Sequence, residues 1–169
     1  MKRLLFLTLC VFFILASQCF AVGTIAVTND NIYYGPGGSV TFRVITIEFT
    51  ADAAAGTIPD LEINDSTTGM IGPTEPIFGW YGYNVEIDCN HSGTEPSEDG
   101  ELYILQNGID TLGGNGVDQL DNTSEREVFF SFNSTKVTRP FYNTLTVRAT
   151  QQAAAVASAT GTIRIICVP

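Results

Sequence analysis

The nine residues "GGNGVDQLD", 113–121, are where this chain comes nearest to a chemical signature. They match the calcium β-roll repeat G-G-x-G-x-D-x-U-x at every fixed position. In a roll each turn shares its calcium with the next, so a repeat has no complete site alone. Asp110, in the preceding "GIDTL", stands eight residues before Asp118, where the spiral requires nine. That deficit breaks the register, and no further copy follows. Two readings stay open: an isolated calcium held by Asp110, Asp118, Asp121 and carbonyl oxygens, or a glycine-rich connection between strands. The connection is the expectation.

Other reactive residues are few. The one histidine, His91, precedes Ser92 in the acidic stretch "NHSGTEPSEDGE". A hydrolytic triad needs a base held against its nucleophile and a carboxylate behind the base, and nothing in this stretch fixes that geometry. Glycoside hydrolysis needs only two carboxylates, but 18 scattered acids single out no pair. Trp80, with Tyr81, Tyr83, Tyr33, Tyr34 and Tyr142, offers a platform for a sugar ring, although such aromatics mostly serve core and cross-strand packing. The expectation is a protein without catalysis and with no cofactor beyond the calcium alternative.

The ends of the chain speak to compartment. In "MKRLLFLTLCVFFILASQCFA", Lys2 and Arg3 precede the apolar run Leu4 to Ala16, and Ala21 ends a cleavage site, so residues 1–21 read as a signal peptide. The apolar run is short of the ~20 residues of a membrane span. A retained anchor is the alternative. Cleavage leaves 22–169 as one domain and leaves six basic residues against 18 acidic ones, a charge of −12. Such a chain is repelled by phosphate backbones and anionic lipid, so neither nucleic acid nor, once the leader is gone, a membrane is an expected partner. Cys89 and Cys167 remain after cleavage, and two cysteines in an exported chain are expected to pair. A bridge across the 78 residues between them would disfavour the unfolded chain by ~4 kcal/mol in the chain-entropy model.

The elements that must carry these residues read as strands. "VGTIAVT" (22–28) opens the series, and "NDNIYYGPGGS" reads as turns. In "VTFRVITIEFT" (40–50) the apolar set changes face between Val44 and Ile45, which predicts a bulge or a strand that changes sheets. In "IFGWYGYNVEIDC" (77–89) alternation puts Tyr81, Tyr83, Val85, Ile87 and Cys89 on the core side. Trp80, Asn84 and Glu86 then share the opposite side and form a candidate ligand or partner face. "ELYILQNGIDTL" reads as a hairpin about Asn107-Gly108. "EVFFSF", "NTLTVRAT" and "GTIRIICV" add further strands, and the alanine-rich 151–159 reads as a loop. About eight strands with glycine-rich turns predict an all-β antiparallel sandwich, of jelly-roll or immunoglobulin-like type.

The phrases "TADAAAGTIPD", "GWYGYNVEIDC", "GIDTLGGNG", "TRPFYNTLTVRAT" and "SATGTIRI" resemble a group of small uncharacterised β-rich proteins of phage and prophage-like gene sets, over most of residues 44–166. The resemblance implies a particle or surface component with no known enzymatic role. The expected function is thus an exported structural or interaction module of a phage particle or extracellular surface assembly, engaging a protein partner or itself. A carbohydrate-binding module, with a glycan as partner, and a calcium-dependent adhesive domain are the alternatives.

Overall fold

β-Branched and aromatic residues alternating with polar ones give antiparallel strands, joined by turns in which glycine and asparagine supply the left-handed backbone. The computed structural model describes residues 23–53, 56–64, 77–89, 94, 96, 100–120, 126–132, 135–151 and 156–169. Residues 1–21, His91, Ser92, Asp121, Gln152 and the alanines at 153–155 lie outside the described residues. The strands are β1 (Thr24–Tyr34), β2 (Val40–Thr50), β3 (Leu61–Ile63), β4 (Tyr81–Asp88), β5 (Glu101–Gln106), β6 (Ile109–Asp110), β7 (Arg126–Phe129), β8 (Ser131–Phe132), β9 (Thr135–Lys136), β10 (Arg139–Pro140), β11 (Leu145–Thr150) and β12 (Thr160–Val168).

They form an all-β sandwich. The larger sheet has the order β1-β2-β12-β4-β10, and β7 also pairs with β4. The smaller has the order β3-β11-β5-β6, and β8 and β9 pair with one another. The expected hairpin is present: Asn107 and Gly108, both at positive φ, turn β5 into β6. Between the sheets, Ile45, Ile47, Phe49, Ile163, Ile165, Val85 and Ile87 from one layer meet Leu102, Ile104, Leu145 and Val147 from the other in one core.

Three bulges set which side chains reach that core. Val27 pairs with Ile47 but Asn29 with Thr46, so Thr28 is an extra residue in β1. This lets β1 continue through Asn29-Asp30-Asn31, read in the sequence as a turn, to Tyr34. Thr41 is extra in β2, since Tyr33 pairs with Phe42 and Tyr34 with Val40. Tyr83 is extra in β4, since Gly82 faces Cys167 and Asn84 faces Ile166. In β2 the expected change of face at Val44–Ile45 does not occur. Arg43, Ile45, Ile47 and Phe49 are all buried on one side, so the inward row simply continues through an arginine.

The Tyr83 bulge overturns the expected faces of the start of β4. Trp80 is buried at 8% exposure, while Tyr81 and Tyr83 are each 40% exposed. Upstream of the extra residue Trp80 and Gly82 point inward; downstream Val85, Ile87 and Cys89 do. Gly82 is required there, because a Cβ would lie 2.7 Å from Phe130 and Phe141, whose rings meet edge to face at 5.7 Å.

The expected Cys89–Cys167 disulfide is not formed. Both cysteines are buried, but on neighbouring strands of the same sheet, not across the core. Cys89 follows the Asp88–Thr162 pair and its Sγ lies by Gly161; Cys167 stands opposite Gly82. Six residues of β12 separate those points, about 20 Å of strand. A bridge needs Cα atoms within ~7 Å, so the fold excludes this one.

Candidate functional site

Directly paired residues put their side chains on one face of a sheet, so the register of the larger sheet gives its outer surface row by row. At one end lie Tyr33 and Phe42, then Val168, Tyr81 and Pro140. The next row is Asn31, Val44, Ile166, Asn84 and Phe129. Then comes Asn29, Thr46, Arg164, Glu86 and Glu127, and after it Ala26, Glu48, Thr162 and Asp88. The first two rows carry no carboxylate, lysine or arginine. The next two carry one arginine and four carboxylates. The outer face is divided into an uncharged half and a charged half.

The uncharged half is aromatic and open to solvent. Tyr33 stacks on Phe42 with centroids 4.4 Å apart and planes at 17°, and is still 44% exposed. Lys136 caps the far end, its Nζ 3.3 Å from the Phe129 ring centroid and 4.4 Å from that of Tyr83. Asn84 lies buried in this half; its Nδ2 donates to Glu127, while its Oδ1 has no hydrogen-bond partner. An unsatisfied buried acceptor costs ~1–3 kcal/mol.

Beneath this half the core is charged. Arg43 Nε donates to Asp30 Oδ1 at 2.8 Å and Nη2 to Oδ2 at 2.6 Å, with both side chains essentially out of contact with water. The bidentate geometry satisfies charges that would otherwise be prohibitive in the interior. The Thr28 bulge makes it possible, because it turns Asp30 inward beside Ile45. The guanidinium carbon lies 5.5 Å from the Trp80 ring centroid, a cation–π contact. Cys167 pairs with Arg43 across β12 and β2, and burial pushes its thiol up to about 12 despite that neighbouring cation. Trp80 is therefore part of the interior, not of a ligand face. Of the three residues expected to share that face, Asn84 is buried and Glu86 is partly exposed in the charged half.

The charged half holds two shallow clefts. One, of about 260 Å³, is lined by Glu48, Asp88, Cys89, Gly161 and threonines 50, 160 and 162. Glu48 and Asp88 flank Thr162 on adjacent strands, about 10 Å apart at the backbone. The other, of about 300 Å³, is lined by Glu86, Ile87, Arg126, Glu127 and Arg164. Arg164 reaches Glu86 at 3.8 Å. Among the described residues no group of three metal-ligating side chains converges.

The described part of the glycine loop is held by its own hydrogen bonds. Asp110 Oδ1 accepts from the Leu112 N–H at 2.9 Å and Oδ2 from the Gly114 N–H at 2.7 Å. Both carboxylate oxygens thus close a turn. Ser131 donates to the Leu112 carbonyl at 2.7 Å, and the Gly116 carbonyl accepts from Leu102 at 2.8 Å. The loop lies so close to β5 that a Cβ on Gly116 would collide with the Leu102 carbonyl. Asp118 is exposed at positive φ, and Asp121 lies outside the described residues. The glycines therefore have a structural reason to be there.

The sequence named Tyr33, Tyr34, Tyr81, Tyr83 and Tyr142 as aromatics, but the outward role of Tyr81 and Tyr83 and the inward one of Arg43 depend on bulges. Comparison with protein-family models, with curated proteins and with solved structures returns no match to this chain.

Proposed function

We propose that the chain is an exported, non-catalytic interaction module, a component of an extracellular surface or a phage particle, that engages its partner through the uncharged half of the larger sheet. One observation carries this: two complete rows, five strands wide, present Tyr33, Phe42, Val44, Ile166, Val168 and Tyr81 outward without a charge among them. In a chain of net charge −10, a contiguous outward apolar surface is the exception. Such surfaces are characteristic of binding sites. The leader-like residues 1–21 support export. Lysines placed in the two halves test the reading. Val44→Lys should release the exported protein from the envelope or particle into the medium, while Thr46→Lys should leave it bound. Equal retention of both would reject it.

A further inference from the structure

We infer that the ligand of the uncharged half is a neutral polysaccharide, stacked on Tyr33 and Tyr81; this rests on the binding face proposed above. Tyr33 lies on edge strand β1 with one ring face against Phe42, at 4.4 Å and 17°, and its other face open. A preorganised, half-exposed ring of this kind offers a flat apolar face with a hydroxyl at its rim, matching a pyranose ring with its C–H face and equatorial hydroxyls. Tyr81 stands in the same row three strands away, about 14 Å, so both rings can be covered by one extended chain of several sugars.

Charge selects the class of ligand. The two rows hold no carboxylate and no basic side chain of their own, Lys136 lying over Phe129 at their far end, while Glu86 and Glu127 border them in the next row and Glu48 stands one row beyond. A uronate-rich chain would meet that acidic border and be repelled. A second copy of this chain would bring another −10 of net charge, so self-association here would strengthen with salt. A neutral polysaccharide has no such dependence.

Affinity electrophoresis of the chain without residues 1–21 tests this, in native gels containing dextran, galactomannan, mixed-linkage β-glucan, xylan or polygalacturonate. Retardation by at least one neutral polymer is expected, unchanged from low to high salt, with none by polygalacturonate. The double variant Tyr33→Ser/Tyr81→Ser should lose about tenfold or more of that affinity while melting as a folded protein, and Tyr103→Ser, on the outer face of the smaller sheet, should bind normally. Migration unaffected by every neutral polymer, or equal retardation of the double variant, overturns the inference. Salt-promoted self-association abolished by Tyr33→Ser/Tyr81→Ser also overturns it, while leaving the uncharged half as the binding face. Loss of envelope or particle retention in Val44→Lys is read separately, so failure of the glycan and failure of the face are distinguishable.

Discussion

At the Glu48 end of the larger sheet Glu48 and Glu127 face water, Glu86 is partly exposed and Asp88 is buried, and Phe49, Ile47, Ile163 and Ile87 lie beneath them. At the Tyr33 end the layers are exchanged. Tyr33, Phe42, Val44 and Ile166 face outward, and Asp30 and Arg43 lie inside with Trp80 and Cys167. The first arrangement is the one hydrophobic burial dictates. The second withholds apolar area from the core and places two ions there, so it does not minimise the folding free energy of an isolated chain. Where local rules are broken without a stability gain, the departure points to function. The contrast between the two ends is thus the main structural argument for a binding surface.

The largest effect should come from unmaking the buried pair. Asp30→Ala leaves Arg43 charged, desolvated and without its carboxylate, which should cost ~3–5 kcal/mol in urea unfolding. The double change Asp30→Val/Arg43→Met should restore most of that stability. If the double variant is as unstable as the single one, the ion pair is itself a source of stability, and the contrast between the ends weakens.

Next in size is a comparison of neighbours on β12. Ile165 is fully buried and Ile166 lies on the outer face, so Ile165→Ala should cost ~2–5 kcal/mol and Ile166→Ala no more than ~1 kcal/mol. Equal costs would mean that the outer face of this end is covered.

A smaller effect is read from pH. The unfolded chain loses the Cys167 proton near the ordinary thiol value of 9.0, whereas the folded chain keeps it until about 12. Between those values the folded state binds more protons, so stability falls as pH rises, by at most ~1.4 kcal/mol per pH unit. Cys167→Ala should flatten that part of the profile relative to wild type. Cys89 and Cys167 should also both alkylate in unfolded protein without reductant, which a bridge would prevent.

Most of the strands were legible in the sequence, because "VTFRVITIEFT", "GTIRIICV" and the Asn107-Gly108 hairpin carry period-two patterning and turn chemistry directly. The faces at one end were not. Alternation alone puts Tyr81 and Tyr83 on the core side and puts Phe42 and Val44 on the face opposite Ile45; it gives no sign that charged Arg43 continues the inward row. Apolarity reports the preference of a side chain, but a single extra residue such as Thr28 or Tyr83 reverses the face that follows it. The disulfide failed for a related reason: alternation put Cys89 and Cys167 on a core side without saying that both belong to the same sheet. In the glycine loop, Asp110 accepts from the Leu112 and Gly114 N–H groups and closes a turn, a contact that the repeat-like spelling of 113–121 does not announce.

Hydroxyl-radical footprinting of the peptide that contains Trp80, Tyr81 and Tyr83 tests the exchange of layers most directly, because adjacent residues serve as each other's control. Tyr81 and Tyr83, each 40% exposed, should be oxidised in the native protein, while Trp80 at 8% should be protected until the chain unfolds. Rapid oxidation of native Trp80 with protection of Tyr81 and Tyr83 would contradict the account, and would return the aromatic row to the core.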